Sequence, residues 1–97
     1  MLYLARMDVT FPESMSPETK ADFVAQEKEY SGNLQQEGVM KGIWRVVGEY
    51  SNYSVFDVDS NDELHAILSN LPLFTYMEVH VTPLAVHPSD IHQSAST

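Results

Sequence analysis

Residues 39–58, VMKGIWRVVGEYSNYSVFDV, hold two runs rich in β-formers separated by a short polar break. Ile43-Trp44-Arg45-Val46-Val47 lies in the first run, Val39 to Tyr50, and Tyr53-Ser54-Val55-Phe56-Asp57-Val58 forms the second. β-Branched and aromatic side chains suit a pleated, half-buried surface. Gly48, Ser51 and Asn52 mark a bend or bulge before the second run, and so short a connection joins antiparallel neighbours into a hairpin.

Helical signals flank this hairpin on both sides. Upstream, Ser16 precedes Pro17 and Glu18: a hydroxyl to cap free backbone N–H groups, a proline where no N–H is needed, and an acid in the first turn. A helix is expected to run from there to about Glu37 and stop at Gly38. Downstream, Ser60-Asn61-Asp62-Glu63 has the spacing of a capping box, Leu64, Ile67, Leu68 and Leu71 share one helical face, and Pro72 ends the run. Further out, residues 2–9 alternate, with Tyr3, Ala5, Met7 and Val9 on one side and Leu2, Leu4, Arg6 and Asp8 on the other. A last strand, 76–84, sets Met77, Val79 and Val81 against Tyr76, Glu78, His80 and Thr82.

The order is therefore β-α-β-β-α-β. Its simplest compact solution is an α+β, ferredoxin-like arrangement, a four-stranded antiparallel sheet with both helices on one face. Large apolar residues on both strand faces imply that the uncovered face invites self-association. One domain is expected over 1–86, followed by a polar tail over 87–97. The isolated Ile91 suggests that the tail docks on a neighbouring subunit as far as about residue 92, with the last five residues disordered.

Composition narrows the function. With 14 acidic residues against five basic ones the net charge is −9, which repels phosphate backbones and anionic lipid surfaces, so neither nucleic acid nor a membrane is expected as a partner. Without cysteine there is no disulfide, thiolate nucleophile or Cys-based metal site. No apolar run approaches the ~18 residues of a membrane span and Met1 to Asp8 offers no signal-peptide core, so a soluble cytoplasmic protein is expected. His80, His87 and His92 do not have ligand spacing, and no metal site is expected. A nucleophile elbow and a glycine-rich phosphate loop are likewise missing from the sequence.

Chemistry concentrates on Glu27. With Phe23 at zero on a helical wheel, Glu27 falls at about 40°, Tyr30 at about −20° and Leu34 at about 20°, so the carboxylate lies within the apolar stripe. A carboxylate on a core face must be paired, displaced to the edge or put to use; Lys20 and Arg45 are the available pairing partners. In the hairpin, Trp44, Arg45, Asn52, Tyr53 and Ser54 gather an aromatic surface, a cation and neutral hydrogen-bonding groups near one turn. Joined to Glu27, they compose a proton-transfer site with a cation for an anionic substrate and donors for a developing oxyanion.

Met1-Leu2-Tyr3 with Met7 and Pro12, Glu27-Lys28-Glu29, Leu34-Gln35 with Glu37-Gly38, Trp44-Arg45, Asn52 to Val58, Leu71-Pro72-Leu73-Phe74 with Tyr76-Met77, and His87-Pro88-Ser89 with Ile91-His92 together resemble the muconolactone Δ-isomerase family, collinearly over residues 1 to about 92. The resemblance implies a dimeric α+β-barrel type of subunit in a cytoplasmic homodecamer. It implies an enzyme of the catechol branch of the β-ketoadipate pathway that converts muconolactone to 3-oxoadipate enol-lactone without metal or organic cofactor. It also implies that Glu27 is the catalytic acid–base. Lys28, Trp44, Arg45, Asn52, Tyr53 and Ser54 are the substrate-binding candidates, with Lys28 or Arg45 holding the substrate carboxylate. Two alternatives stand beside this reading: a chloromuconolactone dehalogenase of the same fold, and a non-catalytic ligand-binding module.

Overall fold

The computed structural model describes residues 1–92. Along the chain come β1 (Leu2–Val9), α1 (Pro17–Gln36), β2 (Met40–Arg45), β3 (Ser51–Asp57), α2 (Asn61–Ser69) and β4 (Met77–Leu84), with a 3₁₀ turn at Phe74–Tyr76 leading into β4. The helix ends follow local chemistry. Ser16 Oγ accepts from the Thr19 N–H at 3.1 Å, and Ser60 Oγ from the Glu63 N–H at 3.1 Å. Gly38, with φ 78°, ends α1: its N–H donates to the Gln35 carbonyl and the Val39 N–H reaches back to the Leu34 carbonyl, a Schellman closure that leads directly into β2.

All pairings are antiparallel and the strand order is β2-β3-β1-β4, which makes the fold ferredoxin-like. The hairpin is tighter than its composition suggests. β2 stops at Arg45 instead of reaching Tyr50, because the Val46 N–H donates to the Ser51 carbonyl at 3.0 Å and the Glu49 N–H to the Val46 carbonyl at 3.1 Å, with Gly48 at φ 82°. β3 accordingly begins at Ser51. A register shift between Met40 and Gly42 puts a bulge at Lys41.

Tyr3, Ala5 and Met7 of β1, Met40 of β2 and Phe56 of β3 pack with Leu34 of α1 and with Leu64 and Leu68 of α2, so both helices cover the same sheet face. Tyr30 joins the two helices, its hydroxyl donating to the Ile67 carbonyl at 2.8 Å. Burying a Leu- or Phe-sized side chain contributes about 1.5–3 kcal/mol, so this single layer of contacts dominates the stability of the subunit. The other sheet face carries a polar network. Arg6 pairs with Asp8 at 3.1 Å and Glu49 at 3.0 Å and donates to the Tyr53 hydroxyl at 3.2 Å, while the Ser51 hydroxyl donates to Asp8. Beyond Leu84 the tail is exposed apart from the half-buried Asp90, and Ile91 stands 81% exposed; the expectation of disorder over the last five residues lies outside the described residues.

Candidate active site

Between α1 and the β2–β3 end of the sheet lies a cavity of about 270 Å³. Val24, Glu27, Lys28 and Ser31 of α1 form one wall, Ile43, Arg45, Tyr50 and Asn52 of the hairpin another, and Val9, Leu73 and Met77 complete it.

Phe23, Glu27, Tyr30 and Leu34 do share the inward stripe of α1, and Leu34 is the buried member. Glu27 is half-buried. Both its carboxylate oxygens are shielded from water and neither has a hydrogen-bond partner among the described residues. Neither expected ion pair forms: Lys20 lies over the Phe11 ring at 5.0 Å and Arg45 over the Tyr50 ring at 5.0 Å. Burial pushes the Glu27 carboxyl above the usual glutamate range; the approach of the Leu73 backbone amide, which falls short of a hydrogen bond, offsets this only in part. The Tyr30 hydroxyl, one turn along, is bonded to Ile67 and leaves Glu27 without a donor. Its own proton is held more tightly than usual because of burial, and secondarily because of the nearby Glu27 and Glu37 charges.

Cations at the cavity contrast with those elsewhere. Lys28 and Arg45 line it, and among the described residues neither makes an ion pair. Arg6, on the other sheet face, is engaged by Tyr53, Asp8 and Glu49. Ser51 first and Arg6 second in turn hold the Asp8 carboxyl below its ordinary range. In a chain of net charge −9, two cations in one apolar-walled cavity, without carboxylate partners among the described residues, form a local receptor for an anion.

Strand alternation divides the hairpin candidates. Arg45 is paired across the ladder with Asn52, and both line the cavity with Glu27 and Lys28. Trp44 is paired with Tyr53, and this pair points to the opposite sheet face, where Tyr53 meets Arg6 and Trp44 stands 58% exposed; neither lines the cavity of this chain. Ser54 is on the cavity side but fully buried, its hydroxyl donating to Asn52 Oδ1 at 2.9 Å. Seven wall residues were not singled out from sequence, Val9 and Val24 among them. Ser31 follows Glu27 by one helical turn and Ile43 alternates with Arg45, so periodicity contains both. Tyr50, Leu73 and Met77 come from a turn, a connection and a distant strand, for which the sequence carries no local signal.

Comparison with known proteins gives one consistent result. A family model described as muconolactone delta-isomerase matches residues 1–90. A muconolactone Delta-isomerase of Cupriavidus pinatubonensis is 59% identical over 91 residues, 94% of this chain and 99% of the relative, and one of Acinetobacter lwoffii is 54% identical over 96 residues, 99% and 100% of the two chains. A solved muconolactone isomerase superposes with a TM-score of 0.90 at 47% identity, covering 95% of this chain and 96% of the other. A 5-chloro-2-hydroxyhydroquinone dehydrochlorinase of Burkholderia phenoliruptrix, at TM-score 0.69, covers 90% of this chain and 96% of the other; at 17% identity it shares the fold alone.

Proposed function

This chain belongs to the muconolactone Δ-isomerase family, and from that premise we propose that it moves the ring double bond of muconolactone to give 3-oxoadipate enol-lactone, with Glu27 carrying the proton. The observation that supports this most directly is the shielded Glu27 carboxylate beside Lys28 and Arg45, all three without an ion-pair partner among the described residues. A carboxylate held above its ordinary pKa is a stronger base once ionised and a usable acid after it has taken a proton.

Ionised Glu27 removes the proton from the ring carbon that bears the carboxymethyl arm. The electron pair left behind delocalises through the ring double bond onto the lactone carbonyl oxygen, giving a dienolate. The protonated Glu27 then returns the proton to the ring carbon next to that carbonyl, the carbonyl re-forms and the double bond rests one position along the ring. Atoms and charge balance without any other reactant, and one base suffices when both carbons present the same ring face. Arg45 and Lys28 hold the substrate carboxylate, and Asn52 faces the oxygen on which charge develops. Deprotonation of this ring carbon, activated only through the conjugated double bond, is helped by stabilising the oxygen that takes up the charge.

The experiment is proton NMR of the purified protein with muconolactone in D₂O. The expected result is migration of the double bond, with deuterium entering the ring only to the extent that the proton on Glu27 exchanges with solvent before it is returned. For Glu27→Gln the expectation is a fall in kcat of at least about 10² with the fold retained. Chloride release from a 5-chloro lactone with no isomerisation of muconolactone would instead make the protein a dehalogenase, and inertness toward both would leave a binding module.

The family setting extends the proposal. The apolar residues on the open sheet face, including Leu4 and Val55, and the exposed Ile91 of the tail favour a homo-oligomer in which the tail reaches a neighbouring subunit, and a decamer acting in the cytoplasm in catechol degradation is the assembly and setting proposed. No helix among the described residues is long and apolar enough to cross a membrane.

A further inference from the structure

Ser54 is a polar side chain that the mechanism above leaves unused. It sits mid-strand on β3 with no exposed surface, between β1 and β2, opposite Ala5 on one side and Ile43 on the other. A hydroxyl costs free energy to bury in such surroundings unless it is bonded. Its one side-chain hydrogen bond goes to Asn52 Oδ1 at 2.9 Å, two residues along on the same face of the strand. The carbonyl end of Asn52 is thereby occupied. Its amide nitrogen makes no hydrogen bond among the described residues, and the side chain lines the cavity beside Glu27 and Arg45.

A carboxamide offers two unlike ends, and a free one can turn either toward the cavity. With the carbonyl outward it would set an acceptor against the oxygen of the dienolate and raise the barrier. With the N–H₂ outward it donates to that oxygen and lowers it. We infer that Ser54 is a positioning residue, which by holding Asn52 Oδ1 on the core side turns the Asn52 amide N–H₂ into the cavity as the donor for the lactone oxyanion. Ser54 touches no substrate itself. The hydroxyl acts before the reaction begins: donating to Oδ1 satisfies its proton, whereas with the amide turned round it could only accept from the N–H₂ and its buried proton would be left without that acceptor, which fixes the sense of the dipole.

This inference rests on the isomerase reading, and the test separates the two. Steady-state kinetics with muconolactone compare wild type, Ser54→Ala, Ser54→Thr, Asn52→Ala and the Ser54→Ala/Asn52→Ala double variant, each checked for folding by circular dichroism. Because the dienolate oxyanion exists only along the reaction, Ser54→Ala is expected to lower kcat at least about ten-fold with KM within about two-fold of wild type. Ser54→Thr, which keeps the hydroxyl, is expected to recover most of kcat. The double variant is expected to be no slower than Asn52→Ala alone, since Ser54 has nothing to position once the amide is gone. A merely structural serine would instead give losses that multiply in the double variant, and that result overturns the inference, as does a Ser54→Ala enzyme with wild-type kcat. The non-additivity decides the question even where threonine is too large for the site. A wild-type protein that leaves muconolactone unchanged overturns the isomerase reading, and the inference falls with it.

Discussion

Replacing Glu27 by Gln is expected to make the protein more stable at neutral pH while it abolishes turnover. Both carboxylate oxygens are shielded from water without a hydrogen-bond partner among the described residues. A buried polar group left unsatisfied costs about 1–3 kcal/mol, and more when charged. The amide has nearly the same shape and stays unsatisfied, so only the excess cost of the charge is recovered. Since the side chain is only half-buried, that excess is on the order of 1 kcal/mol, or about 4–8 °C in Tm for a domain of this size. The sign follows from linkage: a carboxyl whose folded pKa is raised carries no penalty at a pH below its unfolded value of about 4.5, where both states keep the proton. As pH rises through the higher folded value, the folded state gives up a proton it holds more tightly than the unfolded state does, and wild type loses stability relative to the variant. Thermal melts of both proteins from pH 4 to pH 8, at one subunit concentration, should coincide at the acid end and diverge upward in favour of Glu27→Gln. A variant less stable than wild type at pH 8 would mean instead that the carboxylate has a stabilising partner.

Arg45→Gln is expected to raise KM at least about ten-fold with little change in kcat, because it removes an ion-pairing group that binds substrate and transition state alike; initial rates over a range of muconolactone concentrations check this. Tyr50→Leu, which removes the ring under Arg45, should raise KM by a few-fold, whereas Tyr50→Phe keeps the stacking and should not. Gly38→Ala forces a side chain onto φ 78° at the end of α1 and should destabilise the fold by about 1 kcal/mol in a denaturant melt. A Cβ at Gly42 would lie 2.5 Å from the Trp44 ring, so Gly42→Ala should displace that indole and shift the emission of the protein's single tryptophan; since Trp44 does not line the cavity, kcat should hold.

The elements and the position of the acid are legible in the residues alone. Ser16-Pro17, Gly38 and Ser60 with Glu63 mark helix ends through backbone groups a few residues away, and the helical period alone puts Glu27 in line with Phe23, Tyr30 and Leu34. These are local effects, complete within one or two turns of chain. What period two cannot say is which strand face the helices will cover, because Tyr3, Ala5 and Met7 and the alternate set with Leu2 and Leu4 both carry apolar residues. Only the packing of Leu34, Leu64 and Leu68 onto the first set settles it. That choice separates Arg45 and Asn52, which line the cavity, from their neighbours Trp44 and Tyr53, which do not. Tertiary structure also left Glu27 without the cations that its sequence offered, stacking Lys20 on Phe11 and Arg45 on Tyr50. It brought Leu73 and Met77 across to close the cavity and buried the Ser54 hydroxyl beneath Asn52. Each of these depends on contacts between residues far apart in the chain, whose energies exist only once the sheet has formed and both helices lie on one of its faces.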